Sequence, residues 1–271
     1  MKSAKEILAS LRREPFSLET DEKLGNHRVV LEARAGTLPL KVVKTFLCEQ
    51  YHIVAADTRS MEHLVSRFEG NDVIREYFKY FYEGEKLAHG KLLAMAQTMG
   101  LSDSNLENYE PQANAQGYPS YLCRLAHYGE APQIAAAVAV NFPAFGQMCL
   151  ALEDALKKNY KMQEEDLDFL RFFGAGNLDE GAMKVIEAYH ANDKGKLNEI
   201  EYKDIRRAVR LLQAYEVMFW DSVYDSSTWK DFIISSLFHF LSLAFLLLFY
   251  NKNTNKSWLL LLLSSLIWWI M

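Results

Sequence analysis

Along residues 39–69 the apolar side chains Val43, Phe46, Leu47, Val54, Met61 and Leu64 recur every three or four positions. The same spacing returns over 72–100 as Ile74, Phe78, Phe81, Ala88, Leu92, Met95 and Met99. A helix turns once in 3.6 residues, so this spacing lays one apolar stripe along each segment, whereas a half-buried strand would need strict alternation. No alternating run bounded by turns occurs between residues 1 and 229. The spacing predicts an all-α domain with helices over 3–13, 27–35, 39–69, 72–100, 118–128, 132–159, 164–173, 179–191 and 199–224. Gly36 with Pro39, Gly70-Asn71, Gly100, Gly129 with Pro132, GAGN at 174–177 and ANDKGKLN at 191–198 punctuate them. No internal repeat or low-complexity linker divides these segments, so residues 1–229 read as one domain.

The stripes carry polar residues. Gln50 and Asp57 fall on the apolar side of the 39–69 helix, and Glu85 falls on that of 72–100 with His89 one turn beyond. In QIAAAVAVNFPAFGQM the inward polar residue is Asn141, and Pro143 has no N–H for the carbonyl of Ala139, which predicts a kink or break there. In QAYEVMFWDSVY (213–224) Glu216 shares its stripe with Leu212, Phe219, Trp220 and Val223, while Asp221 points elsewhere. Four helices thus send polar groups inward, a pattern that suits a polar-lined cavity in a helical bundle. Burial would raise the pKa of Glu216, as a general acid or proton relay requires. The competing reading is a buried acid that only hydrogen-bonds a neighbouring helix.

Other constellations read more plainly. Glu49-Gln-Tyr-His52 and Glu187-Ala-Tyr-His190 have the ExxH spacing of di-iron bundles. Glu49 and His52, however, share their side with Arg59 and His63 and read as a solvated face, and His190 reads as a helix-end or surface residue. No metal or other cofactor is therefore expected. Glu85 and His89, four apart, form a candidate acid–base pair or a structural one. Cys48, Cys123 and Cys149 lie far apart with no CxxC pair, consistent with a reducing compartment. Cys123 and Cys149 have no visible partner base and read as packing residues. The GAGN run follows no strand and reads as a turn.

Thirty basic against 35 acidic side chains leave no basic footprint for nucleic acid. The N-terminus lacks the apolar core of a secretory signal, so a cytoplasmic location is expected for the globular part. Residues 231–250, DFIISSLFHFLSLAFLLLFY, hold only Asp231 and His239 as ionisable groups over a length that spans a hydrocarbon core, and read as a transmembrane helix. WLLLLLSSLIWWIM at 258–271 is short for a crossing and reads as an interfacial or partly inserted end. A hydrophobic tail over 230–271 thus predicts a membrane as partner. Its Leu, Phe, Ile, Ser, Asn and Lys usage is also what A/T-rich non-coding DNA specifies, so a gene-end artefact is the competing reading.

GTLPLKVVKTFLCEQYHI (36–53), EGEKLAHGKLLAMAQTMGLS (83–102), PQANAQGYPSYL (111–122) and QAYEVMFWDSVYDSSTW (213–229) occur in the order of, and resemble, blocks of the TenA family. These are the thiaminase II and aminopyrimidine-salvage proteins of the heme-oxygenase-like fold, related to PqqC. The resemblance runs from about residue 3 to residue 229, and only the last block is specific. It implies a proton-transferring role for Glu216 and a pocket role for Tyr118. Asn141 stands where the thiaminase form has its nucleophilic cysteine, Gln50 where the pyrimidine-binding aspartate belongs, and Ile53 and Phe173 at two tyrosine positions. The resemblance therefore implies a small, planar, pyrimidine-like ligand among Gln50, Asp57, Tyr118, Asn141, Phe219 and Trp220, with amine or amide hydrolysis that forms no covalent intermediate. The alternative it leaves is a catalytically decayed ligand-binding or scaffold protein anchored by the tail. Family members often assemble as homo-oligomers, which makes one an expectation here.

Overall fold

The computed structural model describes residues 2–174, 176–190 and 199–250, with side chains as far as residue 226. The chain divides into two compact units, residues 1–225 and 226–271. The first is built of helices, and no strand occurs among the described residues. The side chains of the apolar segment 231–250 and all of 258–271 lie outside the described residues.

Helix α1 (Ala4–Arg12) opens on a capping box, in which Ser3 accepts from the Glu6 N–H and the Glu6 carboxylate accepts from that of Ser3. Helix α2 (Pro15–Gly25) has no counterpart in the sequence reading. Its start is set by Pro15 at the first helical position, and its buried face is Ser17, Thr20 and Leu24. Ser17 donates to the Leu11 carbonyl and Thr20 to that of Phe16, both at 2.9 Å, so this helix buries satisfied hydroxyls where an apolar stripe would otherwise announce it. Helix α3 (Arg28–Ala35) ends at Gly36, whose φ of +70° lies in the left-handed region that glycine enters without strain.

The two long helices follow. α4 (Leu40–Arg67) starts after Pro39, and α5 (Asp72–Thr98) is capped by Asn71, which accepts from the Ile74 N–H. They pack against each other along their apolar stripes. A short α6 (Asp103–Glu107), also unforeseen, precedes α7 (Gly117–Tyr128), and α7 lies against α4. α8 (Ala131–Tyr160) packs on α3, on α9 (Asp168–Gly174) beyond a 3-10 turn at Glu165–Leu167, and on α10 (Asp179–Tyr189). α11 (Glu199–Tyr250) closes the order.

The expected break at Pro143 does not occur: α8 is a single helix. The Ala139 carbonyl, which loses its donor at residue 143, accepts instead from the Arg12 guanidinium at 3.0 Å. Arg12 is itself held by the Asp179 carboxylate, its Nη1 donating to Oδ2 at 2.6 Å. A cation from another helix thus replaces the hydrogen bond that proline removes.

Among the described residues α8 is also the one helix long and apolar enough to cross a membrane, and 67% of its most apolar window is buried within the protein. Its apolarity belongs to the core, which has two clusters. One joins α3, most of α4, the second half of α5, the second half of α8, α9 and the Phe219, Trp220 and Val223 turn of α11. The other joins α1, the end of α4, the first half of α5, α7, the first half of α8, α10 and Ile205, Val209 and Leu212 of α11.

Candidate functional site

A cavity opens where these two clusters meet, lined from both. α4 contributes Gln50, Ile53, Val54, Asp57 and Met61, which the helical repeat places on one face, and α5 contributes Phe81 and Glu85, one turn apart. α7 adds Tyr118 and Leu122; α8 adds Val138, Asn141, Phe142 and Phe145; α9 adds Phe173; α11 adds Glu216 and Phe219. The space between the lining atoms is about 640 Å³ measured out to the mouth. The walls are mostly aromatic and aliphatic, with a few convergent polar groups, which is the make-up of a small-molecule site.

Glu216 is 3% exposed. Its Oε2 accepts from the Asn141 amide at 2.9 Å and its Oε1 from the Trp220 indole N–H at 2.8 Å. Burial raises its pKa to about 7, and the two donors, which stabilise the charged form, only partly offset that. Asp57 is pushed well above the usual carboxylate range by burial first, then by the charges of Glu85 and Glu216. Burial lifts Glu85 to about 8. Tyr118 is held well above the usual phenol value by burial and then by the charges of Asp57, Glu216 and Glu85. Three carboxyl groups therefore share one apolar cavity, and its lining includes no Lys, Arg or His. Two acceptors, Asp57 Oδ1 and Asn141 Oδ1, are buried with no hydrogen-bond partner.

The site residues expected from sequence fall into two groups. Gln50, Asp57, Tyr118, Asn141, Glu216 and Phe219 all line the cavity. Trp220 does not: it is fully buried, stacked on Phe46 with ring centroids 5.2 Å apart, and supports the site from behind through its bond to Glu216 and its ring contacts with Phe145 and Phe219. The pairing of Glu85 with His89 is also corrected. His89 is half-buried outside the lining and packs against the Tyr51 ring, while Glu85 faces the cavity and interacts with Asp57.

Three readings outside the cavity change as well. Glu49 is fully buried, with its carboxylate accepting from the Tyr109 hydroxyl, the Gln112 N–H and the Gln116 side-chain amide, each at 2.8 Å. The segment after α6 folds over that face of α4, which its polar residues had marked as solvated. His190 does cap the end of α10, as its position suggested, but it is 3% exposed and not a surface residue, its Nδ1 2.9 Å from the Ile186 carbonyl and its Nε2 3.4 Å from Glu201. Cys123 is exposed, with its sulfur 3.7 Å from His127 Nδ1, whereas Cys48 and Cys149 are buried. Sequence reasoning gave no role to Phe81, Leu122, Val138, Phe142 or Phe145 in the cavity, because nothing separates an apolar lining residue from an ordinary core residue in a sequence. Among the described residues no three His, Cys, Asp or Glu side chains are grouped closely enough to hold a metal ion.

Residues 18–226 match the family model of the TENA/THI-4/PQQC family. Among solved structures, the chain is similar to a TenA homologue from P. horikoshii, with a TM-score of 0.63 and 16% identity, covering 80% of this chain and 98% of that one. It is similar to a domain of unknown function with a heme oxygenase-like fold from Shewanella denitrificans, with a TM-score of 0.62 and 13% identity over 84% and 94% of the two chains. It is also similar to a protein from Sulfolobus solfataricus assigned as a TenA-like thiaminase, with a TM-score of 0.53 and 17% identity over 82% and 96%. At these identities the likeness establishes the heme-oxygenase-like helical fold. No curated protein matches the chain.

Proposed function

This chain belongs to the TENA/THI-4/PQQC family, and on that premise we propose that its cavity binds a single planar, pyrimidine-like ring and hydrolyses an amine or amide carried on it, with Glu216 moving the proton. The observation that carries the reading is the Glu216 carboxyl, held between Asn141 and Trp220 on the wall of an aromatic cavity and tuned to about 7. A carboxylic acid of that strength is protonated often enough to give a proton to a leaving nitrogen, and ionised often enough to take one from the attacking water. Water would add to the carbon bonded to nitrogen, the C–N bond would break, and the nitrogen would leave with the proton from Glu216.

No cysteine, serine or lysine lines the cavity, and Glu216 is already held by Asn141 and Trp220, so the reading takes the hydrolysis as direct attack by water. Phe81, Phe142, Phe145, Phe173 and Phe219 supply the walls that would hold a ring flat and keep bulk water away. The test is turnover of aminomethyl- and formylaminomethyl-pyrimidines by the wild type and Glu216→Gln. Loss of product in the variant with ligand binding retained supports the role, and equal turnover removes it.

A second reading has its own observation. Both Glu216 oxygens already have a partner within the protein, as an acid with a purely structural role would. On that reading the domain is a ligand-binding protein without turnover, and a thermal-shift screen with thiamine, its pyrimidine fragments and related heteroaromatics would show stabilisation with no product. The membrane role of the apolar tail is a separate proposal, tested by whether the full chain stays monodisperse without detergent.

A further inference from the structure

The charges around the cavity do not balance. Asp57, Glu85 and Glu216 line it, and no basic side chain does. The hydrogen bonds do not balance either. Asp57, 5% exposed, leaves Oδ1 buried without a donor, and Asn141, 2% exposed, does the same with its Oδ1 after giving its amide N–H to Glu216. A buried acceptor without a donor costs about 1–3 kcal/mol, and a buried carboxylate without a counter-charge costs more or takes up a proton. The unmet need within the cavity is thus for N–H donors and a positive charge. Around it stand five phenylalanine rings, whose faces attract cations and whose planes suit a flat group.

Resting on the small-molecule reading above, we propose that Asp57 on α4 and Glu85 on α5 form a receptor for a planar cation bearing N–H donors, an amidinium or a protonated amino-heterocycle. Of the two other carboxyls in the cavity, Glu85 is the one whose charge acts most strongly on Asp57. A bound cation supplies the charge that lets this pair ionise together, and its N–H groups satisfy the Asp57 and Asn141 oxygens. Glu216, with both oxygens already occupied by Asn141 and Trp220, is left to its separate task. A neutral ring of the same outline would fill the aromatic walls and leave both deficits in place.

Benzamidine and benzamide test this on the full chain, because they share size and planarity while only benzamidine is a cation at neutral pH. Calorimetric titration of the wild type should show benzamidine binding at least about tenfold more tightly than benzamide, with release of protons measured by comparing buffers of different ionisation enthalpy. Asp57→Asn and Glu85→Gln, each nearly isosteric and each checked for cooperative thermal unfolding, should bring the two ligands to within about twofold of each other. Equal binding of the two ligands by the wild type, absence of binding by either, or an unchanged preference in both Asp57→Asn and Glu85→Gln would overturn the receptor. Pyrimidine turnover that survives loss of the preference sinks this inference and spares the hydrolase reading, and a preference that survives without any turnover does the reverse.

Discussion

Asn141 donates its side-chain amide to Glu216 at 2.9 Å and leaves its own carbonyl oxygen buried without a donor. The bond joins α8 to α11 at the boundary between the two core clusters. The residue that steadies the acid therefore also presents an unmet acceptor within the cavity lining.

Glu216 should make the fold less stable as pH rises. A carboxyl whose pKa is raised by folding to about 7 binds its proton in the native state over a range where the unfolded chain has lost it. Its destabilising effect is absent below the unfolded value near 4.5, grows as pH rises through neutrality, and stays constant above the folded value. In Glu216→Gln the new amide can donate to Asn141, whose own amide turns over to accept. The variant should match the wild type near pH 4 and exceed it by on the order of 1–3 kcal/mol at pH 8, measured by denaturant unfolding across pH.

Trp220→Phe removes the indole N–H from Glu216 Oε1 while keeping the stack on Phe46. The charged form loses a donor, so the Glu216 titration should move above about 7, with a stability loss of roughly 1–3 kcal/mol above that midpoint. Carboxyl chemical shifts against pH are the measurement.

Glu49→Gln places an N–H₂ group among three donors that now point at a carboxylate. The carbonyl oxygen can keep Tyr109 and Gln112 while the Gln116 amide turns over to accept from the new N–H₂, so what is lost is the charge on the acceptor, and the cost should be roughly 0.5–1.5 kcal/mol, or about 2–4 °C of melting temperature per kcal/mol for a domain of this size. The tied segment leads directly into Tyr118 at the start of α7. Ligand affinity should therefore fall as well, while the Glu216 titration stays in place.

Arg12 and Pro143 should be coupled. Arg12→Ala leaves the Ala139 carbonyl without its donor, at roughly 1–3 kcal/mol, while Pro143→Ala supplies the backbone N–H that the same carbonyl lacked. The double variant should be less destabilised than the Arg12→Ala change alone implies, by at least about 0.5 kcal/mol in a double-mutant cycle.

Where a helix buries one apolar face, the sequence showed it: α4, α5, α8 and the 199–224 part of α11 were legible, and so was the inward turn of Gln50, Asp57, Asn141 and Glu216. The failures share a cause, which is burial that leaves no apolar signature. α2 buries Ser17 and Thr20, whose hydroxyls close on nearby carbonyls, and α6 is too short for a periodic pattern. Glu49 looked solvated because one face of α4 is apolar, yet the chain beyond α6 covers the other face with hydrogen-bond donors of its own. Trp220 shares a stripe with Glu216, but helical spacing says nothing of which neighbour a large ring will stack on, and here Phe46 takes it. His89 similarly follows Glu85 by one turn and packs on Tyr51 outside the cavity.

The central claim is that Glu216 is a buried acid poised to exchange a proton near neutral pH, and a carboxyl carbon titration of the full chain labelled at glutamate Cδ tests it most directly. The account expects a signal with a midpoint near 7 that vanishes in Glu216→Gln and moves upward in Trp220→Phe. A Glu216 signal that titrates with the exposed glutamates near 4.5 would contradict it.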